Sequence, residues 1–308
     1  MRTIFLGTSE FAAVVLGRLA SSAHRPLLVV TRPDRPKGRG RQVSPPPVAI
    51  RARALGLDVI QPENLHEPSV LDQIGSLSPE TVCVCAFGVL IKEPLLSAYP
   101  MINVHPSLLP RWRGAAPVER AIMAGDEKTG VSIMRVTEGL DSGAVCLQEG
   151  EPIRSSDDYG TLAARLQRLG GELLVRALDE RPPFTEQDES QVTYAHKVEA
   201  VDRALDPRRS PAELERTVRA LRPHIGARVA LPNGDFLGVV AARVVDDAGG
   251  PEPGRVHVEG GRLLLGATGG ALELTQIRPP GGRPMAATEW LRGRPAGRLT
   301  DFVVPTPA

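Results

Sequence analysis

Only three cysteines, Cys83, Cys85 and Cys146, stand in a chain of 308 residues. They are too few, and odd in number, for a disulfide framework, so the chain fits a reducing compartment. An excess of charge of one sign is also missing: 37 Lys and Arg face 36 Asp and Glu, a formal balance of +1. That excludes a generally basic nucleic-acid coat, and any RNA partner must be held by a local patch. No apolar run approaches the roughly 20 residues of a membrane span. The opening MRTIFLGTSEF has one early Arg followed by Gly, Thr, Ser and Glu, which is not the pattern of a signal peptide. The expectation is a soluble, cytoplasmic protein with no membrane partner. Gly7-Thr8-Ser9 is not followed by the further glycines of a dinucleotide fingerprint, and no Walker-type Gly-Lys-Ser/Thr occurs. A nicotinamide cofactor is therefore not expected. Cys83 and Cys85 alternate within an apolar run with no nearby His to complete a zinc set, and no metal is expected there.

The composition that remains is ordinary for a folded protein, with 42% apolar and 24% charged residues. At about 150 residues per domain the length suggests two domains. The first half alternates short apolar runs with helix-like segments. Residues 3–6, 27–30, 59–60, 101–104 and 130–136 have strand character, and TVCVCA at 81–86 reads as a central parallel strand buried on both faces. Ser9 is placed to cap a helix carrying Phe11, Val14, Val15 and Leu19, and residues 48–55, 118–124 and 159–178 have helical patterning. The alternation predicts an open α/β sheet. Near residue 180 the character changes. Arg181-Pro182-Pro183 breaks the pattern, and residues 187–204 are polar and linker-like. Ser210-Pro211-Ala212-Glu213 then makes a capping box with Pro at the first helical position, opening a helix to about residue 221. Short β-rich runs at 228–231, 236–245, 254–258, 262–265 and 272–277 follow, separated by Gly and Pro turns, as in a small barrel. From Arg208 onward 14 basic residues face 10 acidic ones, a net of +4.

Three segments carry candidate chemistry. The first, NVHPSLLPRWRG at 103–114, directly follows a buried strand, where ligands of open α/β sheets bind. Asn103 and His105 are two residues apart and point to one side of an extended backbone. An amide donor and an imidazole so placed can hold a developing oxyanion, and the imidazole can move a proton near neutral pH. The alternative is that both merely satisfy backbone groups at a strand end. The second segment, TEGLDSGA at 137–144, sets Asp141 between two glycines, which either presents a carboxylate at a sheet edge or makes a simple turn. The third, RPDRPKGRGR at 32–41, holds five basic residues and one acid, with two prolines and two glycines. It suits neither a helix nor a central strand and reads as an exposed loop rich in phosphate-binding donors, or as a solvated one. His24, His66 and His224 sit beside breakers with no pairing in sequence and read as surface residues.

Together these segments resemble the folate-dependent formyltransferases, and among them the methionyl-tRNA formyltransferase family. The resemblance runs from FLGTSEFA through RPDRPKGRGR, VSPPPVA, GLDVIQPENL, CAFGVLI, INVHPSLLPRWRGAAPVERAI and GDEKTGVSIMRVTEGLDSGAV to VTYAHKV. It implies an α/β fold: a Rossmann-like catalytic domain over residues 1–186, a linker at 187–207, and an OB-like β-barrel at 208–308 that binds tRNA. It implies 10-formyltetrahydrofolate as co-substrate and initiator Met-tRNA as the acceptor. Asn103, His105 and Asp141 match the family's catalytic trio. Phe87, Gly88, Val89, Leu90 and Ile91 match residues lining the pterin pocket, and Ser107, Leu108, Leu109 and Pro110 match a folate-contacting stretch. The basic loop matches the insertion that enters the acceptor stem, with Arg39 at the position of its important basic residue and Arg35, Lys37 and Arg41 beside it. Arg228, Arg243 and Arg255 are candidates for phosphate contacts in the barrel. Where many members have a Trp-Pro-Gly stretch, this chain has RPHIGAR at 222–228, which puts the details of the inner tRNA contacts in question. The competing readings are a formyltransferase for a small amine, for which a +4 loop beside the pocket has little use, and an RNA binder without catalysis, which needs no such trio. Nothing in the sequence demands more than a monomer.

Overall fold

The computed structural model describes residues 1–37, 42–245, 250–292 and 301–304. Two compact units divide the chain. The first comprises residues 1–117, 128–152 and 163–195, and the second 118–127, 153–162 and 196–308. In order, the first part of the chain forms β1 (Thr3–Gly7), α1 (Glu10–Ala20), β2 (Leu28–Val30), β3 (Arg35–Lys37), β4 (Gln42–Ser44), α2 (Pro47–Ala54) and β5 (Val59–Ile60). It continues through α3 (Pro68–Ser76), β6 (Thr81–Cys85), α4 (Leu95–Ala98), β7 (Met101–His105), β8 (Arg113–Gly114) and α5 (Pro117–Ala124). Then come β9 (Lys128–Arg135), β10 (Val145–Pro152), α6 (Tyr159–Glu180) and β11 (Tyr194–Ala195).

Seven strands form one sheet in the order β10-β9-β7-β6-β1-β2-β5. The pairings from β7 to β5 are parallel, whereas β9 and β10 join antiparallel. This is the expected Rossmann-like α/β sheet. Every residue of β1 and β6 is buried, as a strand covered on both faces requires. Cys83 and Cys85 lie in β6, where burial pushes the Cys83 thiol up to about 12 and raises Cys85 as well. They are inert core residues. Ser9 caps α1 by accepting the Ala12 N–H. The chain passes from β2 to β5 on one side of β1 and to β6 and β7 on the other. The carboxyl ends of β1, β6 and β7 therefore converge at a topological switch point, the usual place for a ligand. The edge strand β10 escapes sequence patterning because no residue in it is fully buried and its second half reads Gln148-Glu149-Gly150-Glu151-Pro152.

The second unit holds α7 (Pro211–Leu221), β12 (Ala227–Ala230), β13 (Phe236–Val245), β14 (Arg255–Glu259), β15 (Arg262–Ala267), β16 (Gly270–Arg278), β17 (Met285–Ala286), α8 (Ala287–Arg292) and β18 (Asp301–Val303). Its strands run antiparallel in the order β12-β13-β16-β15-β14-β18, with β17 also on β16. Among the described residues no pairing joins β12 to β18, and the antiparallel strands are those expected of the small C-terminal β domain. Leu237, Val239, Val256, Leu265, Leu272, Leu274 and Trp290 share a buried core with Leu214, Val218 and Leu221 of α7. The capping box is present in full: Ser210 accepts from the Glu213 N–H, and the Glu213 carboxylate accepts from the Ser210 N–H.

Two histidines read as surface residues are structural. His24 is buried, with Nδ1 at 2.9 Å from the Met1 amine and Nε2 at 2.8 Å from Asp179. His224 pairs with Glu119 at 2.9 Å and stacks on Tyr159, with ring centroids 3.7 Å apart. His66 is half-buried and meets the Leu90 carbonyl at 3.2 Å. The partners of all three histidines lie too far along the chain for local patterning to reveal them.

Candidate active site

Asn103 lies in the middle of β7 and His105 at its last position, in a strand between β6 and β9. His105 is almost fully buried and Asn103 half-buried. The Nε2 of His105 lies 2.9 Å from the Trp112 carbonyl. A carbonyl only accepts, so Nε2 carries the proton. That leaves Nδ1 as the nitrogen directed at Asp141, whose Oδ2 is 3.6 Å away. This separation is longer than a hydrogen bond. Asp141 Oδ2 also accepts the Gly114 N–H at 2.9 Å. The Asp141 backbone sits at φ 48°, a left-handed conformation rarely taken by a residue with a side chain.

The segment between His105 and Trp112 is held from within. Ser107 is fully buried and donates to the Arg111 carbonyl at 2.6 Å. Ser132 of β9 donates to the Ser107 carbonyl and accepts from the Leu109 N–H. Gln148 of β10 donates to both the Leu109 carbonyl and the Ser132 hydroxyl. The Ser107 hydroxyl is thus committed to the loop's own scaffold. Leu108 packs on Gly130, where a Cβ would meet its Cδ2 at 2.6 Å. Leu109 and Pro110 line a cavity of about 270 Å³ together with Val145–Gln148 and Thr185–Asp188.

The 87–91 segment follows β6 and is tied to the end of β1 by Thr8, whose hydroxyl donates to the Phe87 carbonyl at 2.8 Å. Its residues divide. Phe87 and Ile91 belong to the core with Ile4, Leu6 and Val84. Val89 and Leu90 are exposed, as is Leu140 beside Asp141. Gly88, at φ 71°, makes a turn that a Cβ would strain. Val89 and Leu90 thus face outward after β6, whereas Phe87 and Ile91 pack inward.

The basic segment is partly a hairpin rather than a plain loop. Arg35–Lys37 pairs antiparallel with Gln42–Ser44, an isolated two-stranded ribbon in which Pro36 is tolerated. Arg35 is exposed. Arg39 and Arg41 lie outside the described residues. In the second unit Arg243 and Arg262 both bond to Glu273, and Arg228 lies over the Phe236 ring at 3.8 Å. Arg255 is exposed on β14.

Two residues that hold this arrangement are not among those the sequence singled out individually. Arg113 is buried on β8, and Gln187 falls in the stretch expected to be linker. Instead residues 187–195 build onto the first unit. The Gln187 amide donates to the Asp141 and Gly143 carbonyls at 2.8 and 2.7 Å. β11 pairs parallel with β8. Only the polar pair Gln187 and Glu189, spaced to reach one partner, hints at this in the sequence.

Comparison with known proteins bears on what such a site does. Residues 1–178 match the formyl transferase family model, and residues 197–295 match the formyl transferase C-terminal domain model. A methionyl-tRNA formyltransferase of Halorhodospira halophila is 43% identical over 303 residues, covering 95% of this chain and 96% of that protein. One from Methylococcus capsulatus is 40% identical over 297 residues, covering 94% of this chain and 96% of that one. Among solved structures, HypX from Aquifex aeolicus in complex with tetrahydrofolic acid superposes with a TM-score of 0.61 at 18% identity. That match covers 94% of this chain but only 47% of HypX, so the chain spans about half its length and the likeness concerns the fold.

Proposed function

Because this chain belongs to the formyltransferase family in both its N-terminal and C-terminal parts, we propose that it formylates the α-amino group of methionine on initiator Met-tRNA, with 10-formyltetrahydrofolate as donor. The observation that carries the chemistry is the His105–Asp141 pair: one imidazole nitrogen is committed to the Trp112 carbonyl and the other is turned to a carboxylate at 3.6 Å.

Bound folate supplies the formyl group at N10. The C–N bond to the methionine nitrogen forms as the C–N10 bond breaks, and one proton passes from the methionine nitrogen to N10. The amine must attack in its neutral form, and attack places negative charge on the formyl oxygen. Asn103 donates an amide N–H to that oxygen. With Nε2–H spent on Trp112, His105 acts through Nδ1. A proton there makes the ring cationic, beside the Asp141 carboxylate and facing the same oxygen. Asp141 holds a water or the departing amine proton on its second oxygen, since Oδ2 is engaged by Gly114.

Val89, Leu90 and Leu140 flank the pterin and aminobenzoyl rings. The 32–41 segment, with Arg35, Lys37, Arg39 and Arg41, grips the acceptor stem through phosphates, and the arginine-rich second unit adds further contacts. The protein works as a monomer in the cytoplasm.

The test is formyl-Met-tRNA formation from 10-formyltetrahydrofolate with Met-charged initiator and elongator tRNA. Formylation of the initiator with little of the elongator is the expected result. Folate binding without transfer to either tRNA overturns the tRNA reading in favour of a small amine acceptor. Arg39→Ala is expected to raise KM for tRNA and leave folate binding unchanged. Affinity for tRNA falls as salt rises.

A further inference from the structure

We propose that Gln187, seated by Arg113, is a positioning residue that clamps the Asp141 turn so that its carboxylate stays on His105, an inference that rests on the formyl-transfer reading. Asp141 needs such a restraint. A left-handed backbone at a residue with a side chain persists only where its surroundings over-determine it. The Gln187 amide has two N–H groups, and both are used on the carbonyls that bracket Ser142: Asp141 at 2.8 Å and Gly143 at 2.7 Å. One side chain therefore pins both sides of the turn.

The orientation of that amide is set by chemistry. Arg113 Nε donates to Gln187 Oε1 at 3.0 Å. A guanidinium N–H needs an acceptor, so the amide oxygen must face Arg113 and its NH₂ must face the carbonyls. Arg113 is itself immobilised. Its side chain is 3% exposed, and its other nitrogens reach Glu189 at 3.2 and 2.7 Å. The Arg113 hydrogen bond holds the Glu189 carboxyl below its ordinary range. The Arg113 N–H donates to the Thr193 carbonyl at 2.9 Å, and β8 pairs with β11. Next in the chain, Gly114 sits at φ 120°, where a Cβ would lie 2.8 Å from the Ala195 carbonyl oxygen, and its N–H is the donor to Asp141 Oδ2. The Asp141 turn is thus gripped at its backbone by Gln187, which Arg113 of β8 seats, and at its carboxylate by Gly114, the next residue of that strand. Burying a guanidinium is costly unless it is fully paired. Here every partner of Arg113 leads to this turn or to the segment that carries Gln187.

The informative variant is Gln187→Glu. It keeps the side-chain length and the acceptor for Arg113 but replaces both N–H donors with a carboxylate oxygen facing two carbonyls. Two lost hydrogen bonds of ordinary strength predict a fall in kcat of about tenfold, with KM for folate and for tRNA within about threefold of wild type. In an Asp141→Ala background the same substitution is expected to cost less than about twofold more, because its effect passes through Asp141. Exchange of the Gly114 amide hydrogen, followed by NMR, should quicken about tenfold in Gln187→Glu as its acceptor comes loose. Gln187→Met, which fills the space without polar atoms, repeats each measurement should the carboxylate disturb folding. Unchanged kcat with unchanged Gly114 exchange overturns the clamp. Full additivity with Asp141→Ala overturns the claim that Gln187 acts through Asp141. Absence of formyl transfer in the wild type would instead sink the function, while Gly114 exchange still reports on the clamp.

Discussion

His105 and Glu273 are buried to a similar depth in two different sheets, at 4% and 8% exposure. Their surroundings differ in one respect. Glu273 lies in mid-strand on β16, directly across from Arg243 on β13, with Arg262 reaching it from β15. The two guanidinium Nε atoms both stand 2.8 Å from Oε2. That cluster is closed, with acid and bases already in contact. His105 lies at a strand end, and the partners it faces come from loops. One of its nitrogens is satisfied, while the other looks at a carboxylate across 3.6 Å. That gap leaves a pair which a reacting group can complete, and catalytic hydrogen bonds are commonly long before substrate arrives. On the proposed function, the difference separates a polar residue that supports a fold from one held ready for chemistry: both are buried, and only His105 faces a partner beyond hydrogen-bond distance.

The sharpest test of this contrast is on the unfinished side. Asn103→Ala and Asp141→Ala should lose about 100- to 1000-fold in kcat for formyl transfer, the usual cost of an oxyanion donor or its support. Thermal melting of Asn103→Ala should stay close to wild type, whereas Asp141→Ala should stay folded but melt lower, since it strands the Gly114 N–H and leaves an Ala at φ 48°. A wild-type rate in either variant removes it from the trio. Leu265→Ala is the opposite case. Leu265 is fully buried in the second unit's core, and its truncation should cost about 2–5 kcal/mol in denaturant unfolding. The variant that remains folded should keep its folate affinity.

How much of this could be read beforehand depended on the range of the interaction. The TVCVCA strand, the Ser9 cap and the Ser210–Glu213 capping box are local patterns, and each lies where the sequence puts it. Asn103 and His105 were legible because a strand end plus a spacing of two aims both side chains the same way. What stayed hidden is non-local. Gln187 meets Asp141 from 46 residues away and Arg113 from 74. Its polar neighbourhood has the composition of a linker. His224 is 105 residues from Glu119 and looked like a surface residue for the same reason. The second unit draws in residues 118–127 and 153–162, a partition that periodicity along the chain cannot express. Ser107 and Phe87 are buried, which the sequence does not reveal, because a loop's burial is decided by what packs on it.

A smaller effect tests the helix that supports the second unit. Ser210→Ala removes the acceptor for the Glu213 N–H and the hydroxyl that donates to the Glu213 carboxylate, while the backbone N–H of residue 210 still donates to it. The expected loss is about 1 kcal/mol, read by chemical denaturation. Formyl-transfer kcat should not change, because the cap belongs to the closed kind of cluster.

The smallest effect is also the most direct probe of closure. Burial pushes the Glu273 carboxyl up, but the hydrogen bonds from Arg243 and Arg262 outweigh it and hold the group below its ordinary value of 4.5. A carboxyl whose folded value is lowered stabilises the protein above its unfolded value and loses that contribution as pH falls through the folded one. Glu273→Gln should therefore melt lower than wild type at neutral pH, with the difference shrinking steadily below pH 4.5. Arg243 is 64% exposed and Arg262 37%, so solvent screens the pair, and the loss at pH 7 should stay under about 1 kcal/mol. Activity at neutral pH should be untouched. A pH-independent difference would mean that Glu273 serves by packing rather than by charge, and the contrast with His105 would then rest on geometry alone.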